Sequence, residues 1–377
     1  MGTAHAICIN EGNIDGMVLT AVCDIDKQRL DFFNRSYPVL KTYENYIDLL
    51  HSNEIDAVII AVPHPLHSEI AVEAFKCGLH VVLEKPADIS ISRVELLNQI
   101  AADSGKKFAI MFNQRTNPLF KKVREIVQSG QLGELKRTIW IITNWYRTQS
   151  YYDSGSWRAT WSGEGGGVLI NQAPHNLDLW QWICGMPESV TAYCDVAKYH
   201  NIEVEDDVTV FTRYKNGAVG TFITSTGEYP GTNRLEISGS LGKVVVENAT
   251  LKWWRLRTDE REVCRTDTES FAKIETEYTE TVSQEPESGH KGILQNFANA
   301  VLFGEELLSP GFEGIFELTL SNAAYLSSWK GNCEIKLPFD TAEFDEFLHR
   351  LAQNTEGRSG STSSNTTGYH DRWRVQW

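Results

Sequence analysis

The sequence predicts an α/β protein of two domains: a doubly wound parallel sheet, then an α+β domain with a large, open, mostly antiparallel sheet. Two observations predict it. Residues 1–112 alternate short apolar runs with amphipathic helical patterns, and after residue 113 the apolar period shifts to two. A third observation concerns the start. "MGTAHAICINEGNIDGMVLTAVCDID" reads as a helix, a strand and a terminal acid, with no strand or glycine turn ahead of the helix.

The elements follow in order. Residues 17–23 read as a strand ending on Asp24, 27–35 as a helix and 43–51 as a short helix. "IDAVIIAVP" (55–63) is a nearly continuous apolar run, as expected of a parallel strand buried on both faces. Residues 67–77 read as a helix stopped by Gly78, and "HVVLEKP" (80–86) as a further buried strand closed by Pro86. Ser92 and Glu95 make an S-x-x-E capping box before a helix that Gly105 ends, and "FAIMF" (108–112) is the next strand. Repeated βα units of this size imply right-handed crossovers in one parallel sheet.

In the second domain, placed at 113–350, Asn117 and Pro118 start a helix that Gly130 stops. "DDVTVFTRYKNGAVGTFITST" sets Val208, Val210, Thr212 and Tyr214 on one face. Asn216-Gly217 signals a type I′ hairpin, followed by a strand carrying Val219, Thr221 and Ile223. "RLEISGSLGKVVVEN" reads as another strand pair, with helices near 292–303 and 312–329 after it. Residues 355–377 are Ser/Thr/Gly-rich and read as a flexible tail.

Composition narrows the function. A net charge of −15 argues against a nucleic-acid or anionic-membrane binder, both of which need clustered Lys and Arg. The seven cysteines are odd in number and never form a C-x-x-C pair, which favours reduced thiols in the cytoplasm over disulfides or a zinc site. No apolar run reaches membrane-spanning length.

Several residues can carry chemistry. Asp24, at a strand end, can hydrogen-bond an adenosine ribose or cap the helix after it; in the first role its carboxylate repels a 2′-phosphate and favours NAD over NADP. Pro63, Pro65 and Pro86 shape loops at the C-terminal ends of two neighbouring strands, where open α/β sheets bind ligands. Glu84 and Lys85 lie there too. Lys85 can donate to a substrate oxygen and stabilise negative charge on it, or form an exposed strand-end ion pair. His67 can cap its helix or touch the cofactor, whereas His64 reads as a solvated loop residue. In "GEGGGVLINQAPHNLDLWQWICG", Asn171 and His175 share a helical face with Asp178 nearby, and Pro174 imposes a kink or a late helix start. His175 suits neutral-pH proton transfer, and a structural place in a helix–sheet interface is its alternative. No metal set is evident there, for want of a third and fourth ligand. The aromatic stretch "WYRTQSYYDSGSWRATW" suits sugar stacking or an interface equally.

Taken together, "AVPHPLHSEIAVEAFKCGLHVVLEKP", "GGGVLINQAPHNLDL", "EISGSLGKVVVEN" and the late "FANAVLFGEELLSPGFEGIFELTLSNAAYLSSW" resemble the glucose–fructose oxidoreductase, inositol dehydrogenase and rhizopine-catabolism family (Gfo/Idh/MocA). The resemblance implies a Rossmann domain, an α/β domain with an open sheet, and NAD(P)-linked redox chemistry on a sugar, glycoside or cyclitol. A nucleotide sugar is the enzymatic alternative, and a non-catalytic NAD- or sugar-sensing module the alternative of another class. By motif match Lys85 takes the place of the active-site lysine and His175 that of the proton-transferring histidine. Asn171 stands where many members carry Asp; it cannot accept a proton, and so would orient the substrate beside Lys85, His175 and Asp178. Pro63, His67, Glu84, Trp157 and Arg158 fall where contacts to the cofactor are expected. The open sheet implies a homodimer or homotetramer. Gly2 matches the last glycine of G-x-G-x-x-G, so a first strand and two glycines, about a dozen residues, are expected upstream of Met1.

Overall fold

The structure is a computed structural model that describes residues 1–283 and 287–354, so the tail read at 355–377 lies outside the described residues. The chain divides into two compact units. One holds Met1–Asn113 with Ser288–Ile315, the other Gln114–Glu287 with the described residues from Phe316 on.

The first unit runs α1 (Gly2–Asn10), β1 (Ala21–Cys23), α2 (Lys27–Ser36), β2 (Lys41–Tyr43), α3 (Tyr46–Leu50), β3 (Ala57–Ile60), α4 (His67–Lys76), β4 (His80–Leu83), α5 (Ile91–Ser104) and β5 (Phe108–Ile110). Every strand pair in it is parallel. β1 pairs with β2 from Ala21↔Lys41 to Cys23↔Tyr43, and β3, β4 and β5 form a second ladder through Ala57↔His80 and Val81↔Phe108. Among the described residues no strand joins β1 to β3, so the parallel sheet comes in two pieces. Helix α1 packs on both. Cys8 and Ile9 share a core with Val82, Ala109 and Met111, while Ala6 packs with Phe33 and Leu40.

Three details differ from the sequence reading. β2 went unread, because Lys41–Tyr43 is too short to alternate. Helix α5 begins at Ile91 after Ser90, and Ser90 Oγ lies 2.9 Å from Ser92 Oγ, so Ser92 is not the N-cap of a capping box. Helix α11 (Gly289–Phe303), assigned by sequence to the second domain, packs Ile293, Leu294 and Phe297 against Val82 and Met111 in the first unit. An amphipathic stripe states that a face is buried, not which surface buries it.

The second unit holds α6 (Pro118–Gln128), β6 (Leu135–Ile142), α7 (Gln149–Asp153), α8 (Val168–Asn171), α9 (Pro174–Cys184), β7 (Ser189–Val196), β8 (Glu205–Arg213), β9 (Val219–Ser225), β10 (Asn233–Gly239), β11 (Gly242–Glu247), β12 (Thr250–Leu256), α10 (Glu260–Thr266) and β13 (Thr276–Val282). Past α11 come α12 (Gly314–Trp329), β14 (Ile335–Lys336) and α13 (Thr341–Gln353). The nine-stranded sheet has the order β13-β12-β11-β10-β6-β9-β8-β7-β14, antiparallel throughout except for the pair β6–β9. Asn117 caps α6 as read, accepting from the Leu119 amide at 2.9 Å.

Of the tryptophans between 140 and 182, Trp140 and Trp180 build the helix–sheet core. Trp140 meets Phe120 of α6 at 5.5 Å between ring centroids, and Trp180 of α9 meets Phe222 at 5.5 Å while donating to Thr138 Oγ1. On the opposite face Tyr193 and Phe211 stay about half exposed, at 52% and 46%. Val219, Thr221 and Ile223 also avoid the buried face, which β9 supplies through Gly220, Phe222 and Thr224. The hairpin before β9 is not type I′. Asn216 keeps a negative φ, and Gly217 alone is left-handed at φ 84°, closing a turn by its amide to the Tyr214 carbonyl. This is the three-residue loop in which a type I turn runs into a glycine.

Candidate active site

In the first unit the chain converges where α1 begins and β3 and β4 end. Gly2 sits against Ala61, one residue past β3; a Cβ there would lie 3.6 Å from Ala61 Cβ. Met1 supplies no side-chain cap, so the first amides of α1 remain donors for an anion. After β1, Asp24 accepts the Asp26 amide at 2.9 Å and Arg29 Nη1 at 3.2 Å, and Asp26 is the N-cap of α2. Each carboxylate oxygen of Asp24 has a second lone pair for a ribose hydroxyl. A capless helix start with an acid one strand away fits a dinucleotide.

Beneath this start lies a buried polar cluster. His5, in the first turns of α1, places Nε2 2.6 Å from Glu84 Oε1, and its ring centroid is 5.6 Å from that of His290 on α11. Burial opposes ionisation of Glu84, but the hydrogen bond from His5 and the charges of His5 and His290 prevail and hold its carboxyl well below the usual carboxylate range. Burial pushes His290 down to about 4, with Glu84 opposing and His5 and Lys85 reinforcing the fall. Glu84 thus faces His5 from within, which corrects the expectation that it contacts cofactor directly.

His67 is corrected in the same way. Its Nδ1 lies 2.7 Å from the Pro86 carbonyl and its Nε2 2.9 Å from the Val62 carbonyl, with 1% of the residue exposed. It ties the loop after β3, carrying Pro63, to the loop after β4, carrying Lys85. His64, read as solvated, is buried. Asp88 is buried in the β4 loop, accepting the amides of Ser68, Ile89 and Ser90. Amid these, Lys85 is the one residue from Val81 to Ile91 that is not buried.

The second unit repeats that pattern around α8 and α9. The helix breaks at Gln172–Ala173 and restarts with Pro174, as the proline required. Asn171 therefore ends one helix and His175 lies in the first turn of the next. From Gln172 to Gln181, His175 alone is not buried. The triple glycine ahead of α8 serves packing. A Cβ on Gly166 would sit 2.2 Å from Tyr325 Oη, and one on Gly167 1.9 Å from the Glu205 carbonyl. Side-chain substitution is closed at both. The Glu205 carboxylate accepts the amides of Gly167 and Leu169 and the Tyr325 hydroxyl, and burial outweighs these bonds to push its carboxyl up to about 7.

Asp178 does not reach substrate. It is wholly buried, with Arg115 Nε at 2.8 Å and Nη2 at 2.6 Å in a bidentate pair, and Gln181 Nε2 at 3.0 Å. Three residues along a helix shares a face, but the partner lies 63 residues upstream, beyond any local pattern.

Asn171 donates to Glu164 Oε1 and to the Tyr151 hydroxyl at 3.3 Å; Glu164 Oε2 accepts the Ala159 amide. The same hydroxyl faces Arg158 Nη1 at 3.0 Å and Gln172 Nε2 at 3.3 Å. The Arg158 guanidinium lies 4.7 Å from the ring centroids of both Tyr151 and Trp157. Trp157, Arg158 and Tyr151 are thus one half-buried cluster, whereas Tyr152 and Trp161 of the same stretch are core. Sequence reasoning missed Tyr151, Glu164, His5 and Arg115. Only Tyr151 had a signal, as one of the aromatics between 145 and 161.

Comparison with known proteins adds to this geometry. The family described as "Oxidoreductase family, NAD-binding Rossmann fold" matches residues 1–112, and the GFO/IDH/MocA C-terminal domain matches 120–245. Myo-inositol 2-dehydrogenase of Thermotoga maritima is 28% identical over 66% of this chain and 72% of its own length. Inositol 2-dehydrogenase of Rhizobium meliloti is 27% identical over 87% of this chain and 93% of its own. Among solved structures, the WlbA dehydrogenase of Bordetella pertussis, in complex with NADH and UDP-GlcNAcA, superposes with a TM-score of 0.73 at 27% identity, covering 90% of this chain and 95% of that one.

Proposed function

The chain belongs to the GFO/IDH/MocA oxidoreductase family and carries its NAD-binding Rossmann unit; from that premise we propose that it transfers a hydride between nicotinamide and a secondary hydroxyl of a neutral sugar, glycoside or cyclitol. One observation carries the residue assignment. Lys85 is the one residue from Val81 to Ile91 that is not buried, and His175 the one from Gln172 to Gln181, just after the half-buried Asn171. When bound, NAD supplies the hydride acceptor. Lys85 donates to the reacting oxygen, and His175 takes the hydroxyl proton. Asn171, held by Glu164, orients the hydroxyl, and Trp157 and Arg158 line the approach. The amides of Gly2 and its neighbours hold the diphosphate and Asp24 the ribose, with Pro63 shaping the loop beside them. His67 acts on cofactor through the two loops it ties, and Glu84 through its bond to His5 near the start of α1.

The relatives named for inositol support the cyclitol. The WlbA complex favours a second reading, a nucleotide sugar. A panel of cyclitols, neutral sugars and UDP-sugars, followed by NADH formation, separates the two. NAD bound without turnover on any of them would make the chain a sensor and overturn the proposal. Lys85→Ala is expected to lower kcat about 10²–10³-fold with little change in NAD affinity. Equal kcat in the variant removes Lys85 from the chemistry.

The half-exposed Tyr193 and Phe211 on the open sheet support a homodimer or homotetramer through that face. Seven free cysteines suit a reducing, cytoplasmic setting. No helix among the described residues is long and apolar enough to cross a membrane.

A further inference from the structure

We propose that His51, Glu73 and Cys77 form a surface site for one Zn²⁺ ion in the first unit. Glu73 and Cys77 stand four residues apart at the end of α4 and so share a face, and His51 follows α3 directly. His51 Nε2 lies 3.1 Å from Glu73 Oε1 and 3.6 Å from Cys77 Sγ, and the three ligand atoms all fall within 4.8 Å of one another. Tetrahedral zinc with bonds of about 2.0–2.3 Å sets its ligands about 3.4 Å (N to O) and about 3.6 Å (N to S) apart. The two separations from His51 already lie near those values, and the carboxylate and thiol fall within 4.8 Å of each other.

Two further features favour a cation of this kind. Against them, the Lys76 ammonium lies 3.6 Å from Glu73 Oε2, and Zn²⁺ on Oε1 would have to displace it outward. His51 and Cys77 are the C-caps of α3 and α4, so the negative ends of two helices meet at the cluster. One nitrogen, one thiolate and one carboxylate suit zinc, whereas magnesium and calcium take oxygen alone. Burial, and then Glu73, push the Cys77 thiol up against the pull of Lys76, so binding would release its proton to solvent. The fourth position is left to water. The sequence hid this set because His51 lies 26 residues from Cys77, in no recognised ligand spacing. Here the reading of no metal site, made from the missing C-x-x-C, gives way to a site assembled by folding.

The test uses the full chain, reduced and stripped of metal. Titration with Co²⁺ is expected to give one equivalent of a tetrahedral spectrum with thiolate-to-cobalt charge transfer, displaced by Zn²⁺ and lost in Cys77→Ser. Absence of that absorption, or its survival in Cys77→Ser, overturns the proposal. Zn²⁺ should also slow alkylation of Cys77 by iodoacetamide, read by peptide mass spectrometry, in the wild type but not in His51→Gln. Equal protection in the two, or equal protection of the exposed Cys264, would overturn it as well. Should His51→Gln fail to fold, Glu73→Gln replaces it with the same expectation.

Discussion

The Lys85 loop and the His175 turn solve one problem with different chemistry. Each holds a single accessible side chain within a run of buried neighbours. The loop rests on Glu84, paired with His5 beside His290, whose pKa burial pushes down to about 4. The turn rests on Asp178, paired in bidentate fashion with Arg115, whose charge persists at any ordinary pH. The acid response of the first support has no counterpart in the Arg115 pair; elsewhere in the second unit Glu205, pushed up to about 7, responds with the opposite sign.

Breaking the permanent pair should have the largest effect. Asp178→Ala takes the bidentate carboxylate from the buried Arg115, and is expected to cost about 3–5 kcal/mol. Urea unfolding followed by hydrogen exchange in α9 measures it. Replacing both partners with Arg115→Met and Asp178→Leu should recover much of the loss, because no orphaned charge remains. If the single variant is as stable as the wild type, the His175 turn does not depend on this pair.

Acid should separate the two units next. His290 stays neutral in the fold down to about 4, whereas its ordinary value is 6.5. As pH falls through that window the unfolded chain binds the proton first, so stability is full above the window, declines across it and falls no further below it. From 6.5 down to about 4 the limit is about 3 kcal/mol. Glu84, held low, adds a loss in the same direction below the ordinary carboxylate range. Protection factors in α11, corrected for the intrinsic slowing of amide exchange in acid, should therefore fall between pH 7 and 5, while those of α8 rise as Glu205 takes its proton; His290→Gln should flatten the fall in α11. The smallest effect is expected at Tyr151. Tyr151→Phe removes the hydroxyl shared by Arg158, Asn171 and Gln172, raising KM by about 1 kcal/mol equivalent while sparing fold stability.

The same contrast marks what was legible in the sequence. Lys85 and His175 stand out in the sequence because each lies in a contiguous motif with a proline or glycine that fixes the local backbone. Their supports were not, since His5 finds Glu84 across 79 residues and Arg115 finds Asp178 across 63. Asp178 was misread for that reason: helical spacing gives a face, and only folding supplies the partner. The strands of the large sheet were readable from alternation, whereas β2 lacked the length to alternate and α11 carried no sign of which unit it would join.

Helix α1 carries a consequence for how binding is transmitted. It is buried at Ala6 against Phe33 and Leu40, and at Cys8 and Ile9 against Val82, Ala109 and Met111. An anion seated on its first amides therefore steadies a keystone. Whatever fixes α1 fixes the packing behind both parallel ladders, so cofactor binding should raise amide protection in α2 and β4 together.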